Sequence, residues 1–334
     1  MPHEEEKLNI LSLLPEEINV APDYRKKQIF SWIGQHGVRS FGEMTNLPKP
    51  MRADLSERYA FGVPQEMERK ISADGTQKIL WRFADGERVE TALMRYKHGR
   101  SVCLSTQAGC RQGCKFCASG ADGFSRNLTA GEMLAQTLYC GEEISRAVLM
   151  GTGEPLDNFD ETVRFLRLVS HPEGRNLGLR HISLSTCGDL PGILKLAELG
   201  LPVTLSVSLH ASDDETRSRL MPVNRRYPIS QLIGACGKFY EKTGRRISFE
   251  YVIIKGLNDS PGQARSLAAL LKGFPAHINL IPYNLVPGKP YHPPEADGVE
   301  RFIRELGGIQ ATVRRTLGTD IMAACGQMRS SGQC

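Results

Sequence analysis

The chain has 334 residues, with 42 Lys and Arg against 37 Asp and Glu, and 40% of its residues are hydrophobic. This composition is ordinary for a globular protein and excludes the disordered and low-complexity classes. The acidic first residues argue against a secretory signal, and no run of about 18 apolar residues suggests a membrane helix. The odd count of nine cysteines argues against a disulfide framework. We therefore expect a cytoplasmic protein.

The positive charge is unevenly distributed along the chain. Residues 1–97 carry 15 basic and 15 acidic side chains, so the formal net charge of +5 comes from residue 98 onward. A positive surface beside a site would suit a phosphate-rich partner, although a solvated surface of mixed charge has the same composition.

Residues 1–61 are predicted to form a small helical domain. Ile29, Trp32 and Ile33 recur at helical spacing, and two prolines precede a further helical stretch at 51–59. Interspersed Arg and Lys favour an accessory domain that binds RNA. A helical cap that only packs on the main domain would show the same pattern.

Residues 62–97 are predicted to form a β-hairpin linker. Apolar and polar residues alternate over 78–83 and again over 88–94, with Asp85-Gly86 between the two runs. An Asp-Gly pair in this position is a strong hairpin signal, because both residues tolerate the positive φ angles of a tight turn.

Residues 98–334 alternate between candidate strands and helices. The candidate strands span 102–106, 147–150, 181–186, 203–209, 247–254 and 278–283. Two of the helices begin with capping-box spacing, Thr129-x-x-Glu132 and Ser212-x-x-Glu215. Six strands alternating with helices predict an α/β fold whose parallel sheet is either open or curled into a partial barrel.

Three cysteines follow the first candidate strand at the spacing C-x₃-C-x₂-C, namely Cys110, Cys114 and Cys117. Thiolates bind zinc and iron–sulfur centres, and a structural site takes four protein ligands. Three ligands would leave one iron of a [4Fe–4S] cluster open to a substrate or cofactor. A zinc loop with a distant fourth ligand, or three structural cysteines, would have the same spacing.

Polar residues occur where the candidate strands end. They are Gly153 and Glu154 after the second strand, Ser185 at the end of the third, Ser208 and His210 at the fourth, and Asn284 after the sixth. In a parallel βα barrel the carboxyl ends of the strands open on one face, which carries the active site. We therefore expect these segments and the cysteine loop to converge on one mouth, although each alone fits a helix cap or a turn.

Taken together, these motifs resemble the RlmN/Cfr family of radical S-adenosylmethionine (SAM) RNA methyltransferases, from about Pro22 to Met328. The matching stretches are Val89-Glu90-Thr91, Cys103 with the cysteine loop, Met150 to Leu156, Leu184-Ser185-Thr186, Ser208-Leu209-His210, Leu220 to Asn224, Asn279 to Asn284 and Ala323-Ala324-Cys325-Gly326-Gln327. The last stretch is the most discriminating, because it supplies a cysteine that ordinary radical SAM enzymes lack.

Within this family the chain is more similar to the RlmN branch, through Phe249-Glu250-Tyr251 and Val286-Pro287-Gly288. Two positions depart from the family pattern. Met322 stands where the family usually has Asp, and Thr152 stands where it usually has Met. Neither departure removes a ligand, but Met322 precedes the loop of Cys325 and bears on substrate or rate.

The resemblance implies a partial (β/α)₆ radical SAM barrel that binds a [4Fe–4S] cluster and SAM. It assigns the cluster to Cys110, Cys114 and Cys117. It assigns SAM binding to Gly153, Glu154, Ser185, Ser208, Leu209, His210 and Asn284. By the same resemblance, Cys325 carries the methyl group, Cys103 is its partner, and Glu90 accepts a proton.

The implied reaction is methylation of carbon 2 of an adenosine in 23S rRNA, with some members also modifying tRNA. Cfr-like members modify carbon 8 instead. Carbon 2 is electron-poor, so we expect a radical to add to it. Cys325 would receive a methyl group from one SAM, a second SAM would start the radical reaction, and Cys103 would attack the Cys325 sulfur to release the RNA, leaving a disulfide.

The implied partners are RNA and an electron donor such as flavodoxin or ferredoxin, and we expect a monomer that does not bind membranes. We expect the first ~60 residues, together with Arg314 and Arg315, to bind structured RNA through phosphate contacts. Two other classes fit parts of the pattern. One is a radical SAM enzyme with another substrate, against which Cys103 and Cys325 argue, and the other is a non-catalytic RNA-binding protein with structural zinc.

Overall fold

The computed structural model describes residues 7–97, 99–121 and 123–328. The predicted domain of residues 98–334 therefore includes positions 98, 122 and 329–334, which lie outside the described residues. Over the described ranges, a small helical region precedes one ten-stranded sheet that is flanked by helices. Within these same ranges, no helix combines the length and the apolar character that crossing a bilayer requires.

The N-terminal region contains β1 (Leu8–Asn9), α1 (Tyr24–Gly34), α2 (Lys49–Arg58) and β2 (Tyr59–Ala60). The two short strands pair in parallel and so bring the ends of the region together. The buried side chains Phe30 and Ile33 on α1 belong to the same hydrophobic core as the main sheet. The N-terminal region therefore packs directly on the rest of the protein.

The next three strands are antiparallel: β3 (Gln65–Ile71), β4 (Gln77–Arg82) and β5 (Arg88–Tyr96). The predicted hairpin is formed by β4 and β5, whose register places Gln77 opposite Leu93. The buried Trp81 stabilises this pair, because its Nε1–H donates to Thr91 Oγ1 over 3.0 Å. The sequence did not predict β3, which forms one edge of the large sheet.

The parallel part of the sheet contains β6 (Gly99–Cys103), β9 (Arg146–Leu149), β10 (Ile182–Thr186), β11 (Thr204–Ser208), β12 (Ile247–Ile253), β13 (Ala276–Pro282) and β14 (Ala311–Val313). A small separate hairpin is formed by β7 (Gln107–Gly109) and β8 (Phe124–Asn127). Strand β6 lies antiparallel to β5 and parallel to β9. The strand order of the large sheet is β14-β13-β12-β11-β10-β9-β6-β5-β4-β3. The predicted α/β fold with a parallel sheet is confirmed, and β14 extends it by a strand that was not predicted.

Helices connect the parallel strands and cover the outer face of the sheet. They are α3 (Ala130–Leu138), α4 (Phe159–Ser170), α5 (Leu190–Leu199), α6 (Asp214–Leu220), α7 (Ile229–Thr243), α8 (Pro261–Leu270) and α9 (Ala296–Glu305). Phe165 and Phe239 from these helices and Val207 and Phe249 from the strands are fully buried in one core. Burial of such large apolar side chains supplies most of the free energy that holds the layers together.

The two predicted capping boxes have different outcomes. At the start of α3, Thr129 Oγ1 accepts from the Glu132 N–H, and the Glu132 carboxylate accepts from the Thr129 N–H, as predicted. At α6 the prediction was wrong, because Asp213 caps the helix by accepting from the Thr216 N–H over 2.7 Å. A carboxylate next to the free N–H groups of a helix start is a stronger acceptor than the neighbouring Ser212 hydroxyl.

Candidate active site

The cysteine loop, residues 110–117, is fixed at both ends by backbone hydrogen bonds. At its start, the Cys110 N–H donates to the Gly123 carbonyl over 3.0 Å, beside the β7–β8 hairpin. Just beyond its end, the Ala118 N–H donates to the Gly326 carbonyl over 2.8 Å. The second bond ties this loop to the C-terminal segment, which is more than 200 positions away in sequence.

The three cysteines of this loop line one cavity of about 160 Å³, called the main cavity below. Burial, and then the negative charges of the neighbouring thiolates, raise the pKa of Cys114. Burial also raises the pKa of Cys110 to about 11. Bound iron would stabilise the thiolates that burial disfavours. Among the described residues no three His, Cys, Asp or Glu side chains converge on a single metal ion. Three cysteines that do not converge on one ion fit a [4Fe–4S] cluster better than zinc, because each cysteine of such a cluster binds a different iron.

The glycine-rich loop after β9 forms a second wall of the main cavity. Gly153 has a φ of 115°, and a Cβ at this position would lie 2.7 Å from the Gln107 side chain, so only glycine fits. The buried Glu154 carboxylate accepts from the Leu156 N–H over 3.0 Å and from the Cys187 N–H over 2.6 Å. Burial outweighs these bonds and raises the pKa of Glu154 to about 7.

The ends of the other strands contribute most of the predicted residues to the same cavity. Ser185, Ser208 and Asn284 line it, together with Gly153, Glu154 and His210. Leu209 is not among its lining residues. The Leu209 side chain is fully buried in the core, and its N–H donates to the Glu250 carbonyl over 3.0 Å. The structure therefore brings all the predicted cluster and cofactor positions to one cavity except Leu209.

His210 is held in an unusual backbone conformation with a φ of 57°. Its Nδ1 accepts from the Val252 N–H over 3.0 Å, and its ring packs edge-on against Phe116 at 4.9 Å between centroids. Burial lowers the pKa of His210 to about 3, so the ring is neutral. The neutral ring is therefore held by a backbone hydrogen bond and by ring packing.

Cys325 lies on the wall between the main cavity and a smaller side cavity of about 30 Å³, and it lines both. Cys103 lines the side cavity and is buried at the end of β6. The Asn284 side chain fixes the backbone here, donating from Nδ2 to the Cys325 carbonyl over 3.1 Å. Both cysteines are free thiols. Burial and the charge of Cys325 raise the pKa of Cys103 to about 12.

Arg314 and Arg315, both expected to bind RNA, lie in different environments: Arg315 is exposed, whereas the Arg314 side chain is half-buried. Arg314 lines both cavities, with Nη1 at 3.7 Å from Glu250 Oε2 and 3.3 Å from Met150 Sδ. The negative charge of Cys325 raises the pKa of Arg314, so a half-buried cation lies near the sulfur, a placement that was not predicted. A basic residue directly after a short strand was the only sequence signal.

Glu90 lies apart from the residues that line these two cavities. Its buried carboxylate is 2.9 Å from Lys78 Nζ, which also donates to the Met322 carbonyl over 3.3 Å. Glu90 and Cys103 lie on the same face of the sheet, because Ala92, two residues after Glu90, is opposite Cys103. Glu90 is thus near the Cys325 segment but is connected to it through Lys78.

The turn between β3 and β4 holds the segment that precedes Cys325 by hydrogen bonds. The Asp74 carboxylate accepts from the Gly318 N–H over 2.8 Å. The Asp320 carboxylate accepts from Ser72 Oγ over 2.6 Å and from the Ala73 N–H over 3.2 Å. We call these contacts the tail clamp. The sequence offered no signal for it, because its two sides are about 245 positions apart.

Comparison with known proteins was consistent with this geometry. The family model for the Radical SAM superfamily matches residues 104–267, and the model for the Ribosomal RNA large subunit methyltransferase N-terminal domain matches residues 18–60. The chain is 48% identical to a "Probable dual-specificity RNA methyltransferase RlmN" of Clostridium botulinum, over 97% of this chain and 96% of the relative. A protein with the same name from Symbiobacterium thermophilum is 50% identical, over 93% and 87% of the two chains.

A solved structure is also similar over nearly the whole chain. The crystal structure of a radical SAM methyltransferase from Sphaerobacter thermophilus superposes with a TM-score of 0.93 at 43% identity. The alignment covers 97% of this chain and 99% of that chain. The similarity therefore includes the N-terminal region, the large sheet and the segments that form the cavities.

Proposed function

The chain belongs to the RlmN family of radical SAM RNA methyltransferases, and we propose that it methylates carbon 2 of an adenosine in 23S rRNA and in tRNA. As a member of this family it uses a [4Fe–4S] cluster and SAM. Relatives named as dual-specificity RNA methyltransferases support two kinds of RNA substrate.

The observation that carries the proposal is the position of Cys325. Its side chain lines the main cavity on one side and the side cavity of Cys103 on the other. A methyl carrier must receive its methyl group at one place and be attacked by its partner thiol at another. One sulfur that borders both cavities can do this without a large movement.

The proposed roles of the remaining residues follow from the lining of the main cavity. Cys110, Cys114 and Cys117 hold the cluster, while Glu154 and the other cofactor-binding positions hold SAM. When bound, these two groups supply the methyl group and the radical chemistry. The Cys325 sulfur is the nucleophile that accepts the methyl group, and the Arg314 guanidinium lines the same cavity.

Cys103 is proposed to release the product. Its sulfur attacks the Cys325 sulfur, and the bond from the Cys325 sulfur to the transferred carbon breaks. That carbon keeps the electron pair and takes up a proton to become the methyl group, and a Cys103–Cys325 disulfide remains. The pKa of Cys103 is about 12, partly because of the nearby negative charge of Cys325. Methylation of Cys325 removes that charge, so the pKa of Cys103 falls at the stage where its thiolate is needed.

Glu90 is proposed to accept the proton that carbon 2 loses. Its carboxylate lies on the sheet face of Cys103, and Lys78 connects it to the backbone of the Cys325 segment. We further propose a monomer that works in the cytoplasm with an electron donor such as flavodoxin or ferredoxin.

The function is tested by mass spectrometry of nucleosides from 23S rRNA and tRNA of a deletion strain. We expect 2-methyladenosine to be absent from both RNAs, to return with the wild-type gene and to stay absent with Cys325→Ala. Unchanged 2-methyladenosine, or loss of 8-methyladenosine instead, would contradict the proposal.

SAM binding is expected to weaken as the pH falls below about 7. The ionised Glu154 carboxylate is the stronger hydrogen-bond acceptor for the amino group of SAM, and burial raises the pKa of Glu154 in the free protein to about 7. Binding therefore releases a proton at low pH, and affinity should be about tenfold lower at pH 6 than at pH 8. Equilibrium binding to the cluster-loaded protein measures this change. Glu154→Gln should bind weakly at both pH values, and an equally steep pH dependence in that variant would exclude Glu154 as its cause.

Loss of the tail clamp is expected to slow methyl transfer to Cys325. Asp320→Ala and Asp74→Ala remove the acceptors that fix the segment before Cys325, and a loosely held reacting atom commonly costs about tenfold to a hundredfold in rate. Mass spectrometry of the Cys325 peptide after a single turnover with SAM measures the transfer. Asp297→Ala, an exposed aspartate on α9 that pairs with Arg301, is the control and should react normally. Normal transfer in both clamp variants would leave the clamp without a catalytic role.

A further inference from the structure

The inner face of the parallel sheet is unusually polar. Strands β10, β11 and β12 each place small or charged polar side chains at alternate positions, and these side chains point away from the apolar core. They are Ser183 and Ser185, Thr204, Ser206 and Ser208, and Ser248 and Glu250. An inner face that only had to be filled would carry large apolar residues, as closed βα barrels do. This alternation indicates that the interior holds a polar ligand.

Most of these side chains line a cavity of about 670 Å³, which we call the lumen, while Ser185 and Ser208 line the main cavity. The lumen extends toward the amino ends of the strands, where Arg146 begins β9 and Arg180 lies two residues before β10. These two arginines form its rim, and Arg315, two residues after β14, lines it as well; all three are exposed. Glu250 is the one carboxylate among the described lining residues, and it accepts from Asn279 Nδ2 over 2.7 Å. The lumen therefore combines walls of mixed polar and apolar side chains with a cationic rim.

The lumen adjoins the cavities that Cys325 lines, and Cys325 itself is not among its lining residues. Met150, Glu250 and Arg314 line both the lumen and the main cavity, and Arg314 lines the side cavity as well. The lumen thus approaches Cys325 from the amino ends of the strands, whereas the cluster and SAM positions lie at the carboxyl ends. A substrate in the lumen would meet Cys325 from the side that the cofactors leave open.

We propose that the lumen is the binding site for the target nucleotide, which enters from the amino ends of the strands. The inference rests on the proposed RNA methyltransferase function. Enzymes that modify a base move it out of the helix or loop into a pocket, and they recognise it by hydrogen bonds and stacking. The serine, threonine and asparagine side chains of the lumen face the base, and the rim arginines bind the neighbouring phosphates.

Charge reversal at the rim tests the proposed phosphate contacts. In the cluster-loaded protein, Arg146→Glu and Arg180→Glu are each expected to weaken binding of a 23S rRNA fragment by about tenfold. Each should also reduce the slope of log affinity against log salt by about 1. Arg304→Glu is the matched control, because Arg304 is exposed on α9 and lies outside all three cavities. Binding by both rim variants equal to that of the control would overturn the proposal.

A second measurement uses the unmodified protein and does not depend on how variants fold. An RNA with 4-thiouridine next to the target adenosine is bound and irradiated, and the cross-linked peptides are identified by mass spectrometry. The proposal predicts cross-links to the lumen and its rim, at positions 146, 180–181, 277 or 312–315. Cross-links confined to the cysteine loop or to residues 285–291, at the opposite end of the strands, would overturn it.

These outcomes are separable from failure of the proposed function itself. If wild-type protein forms 2-methyladenosine in the fragment while the rim variants behave like the control, the function stands and the lumen assignment falls. If wild-type protein methylates no adenosine in either RNA, the proposed function falls first.

Discussion

Replacing Cys103 by alanine is expected to yield a protein that is covalently attached to RNA through Cys325. Methyl transfer to Cys325 involves the main cavity, which Cys103 does not line, and addition to the base uses the Cys325 sulfur and not the Cys103 sulfur. Those steps should proceed in the variant. The thiol that attacks the Cys325 sulfur is missing, however, so the bond to the RNA cannot be broken. RNA that remains with the purified protein on a denaturing gel measures the effect, and most of the protein should carry it.

The double variant Cys103→Ala/Cys325→Ala is the control for this result, because it lacks the carrier sulfur and should carry no RNA. A structural role for Cys103, or direct transfer of a methyl group from SAM to RNA, predicts no adduct in either protein. Free Cys103→Ala protein that turns over at the wild-type rate would contradict the two-cysteine mechanism.

Replacing Cys114 by alanine is expected to abolish SAM cleavage and the brown iron–sulfur absorbance together. Cys114, like Cys110 and Cys117, is half-buried and lines the main cavity, and each is assigned to one iron. Two remaining cysteines cannot hold the cluster at the position where SAM reaches its open iron. Absorbance spectra, iron and sulfide content, and release of the SAM fragments measure the loss.

Cys236→Ala is the matched control for this substitution. Cys236 is also a free cysteine, but it is buried in the hydrophobic core on α7 and does not line any of the three cavities. It should keep its cluster and its activity. Normal SAM cleavage by the Cys114→Ala protein would rule out the cluster assignment.

The main sheet could be predicted because its strands carry a strong apolar pattern. The alternation around Asp85-Gly86 located β4 and β5, and six apolar segments located the parallel strands β6 and β9–β13. Strand β3 was missed because its sequence, Gln65–Ile71, is mostly charged and exposed. It forms an edge of the sheet, so it needs few apolar side chains. Strand β14 has only three residues, which is too short for any periodicity.

The cysteine loop could be predicted from spacing, because its ligands lie within eight consecutive residues. Cys325 carries no such local signal, so its role followed only from the family resemblance. The place of Arg314 between the cavities could not be predicted, because a sequence gives the charge of a residue but not its exposure, and its partners Glu250 and Met150 are distant in the chain. The polar lumen did have a signal in the alternating serines of β10 and β11.

The N-terminal region illustrates the difference between packing and function. The helical pattern of residues 1–61 fitted two expectations equally, an RNA-binding domain and a cap that only packs on the main domain. The structure shows that Phe30 contacts the His171 ring at 4.8 Å, just after α4, so the region is built into the main core. Its match to the N-terminal domain of ribosomal RNA methyltransferases supports the RNA-binding expectation. Packing on the main core is compatible with RNA binding and does not require it.

The central claim is that the methyl group passes through Cys325, and a pulse–chase experiment tests it most directly. The cluster-loaded protein is first incubated with methyl-labelled SAM without RNA. Excess unlabelled SAM and the rRNA fragment are then added, and the Cys325 peptide and the nucleosides are analysed by mass spectrometry. We predict that the label appears on Cys325 in the pulse and moves to 2-methyladenosine in the first turnover. A first turnover that yields only unlabelled 2-methyladenosine, with label remaining on Cys325 or never reaching it, would contradict the account.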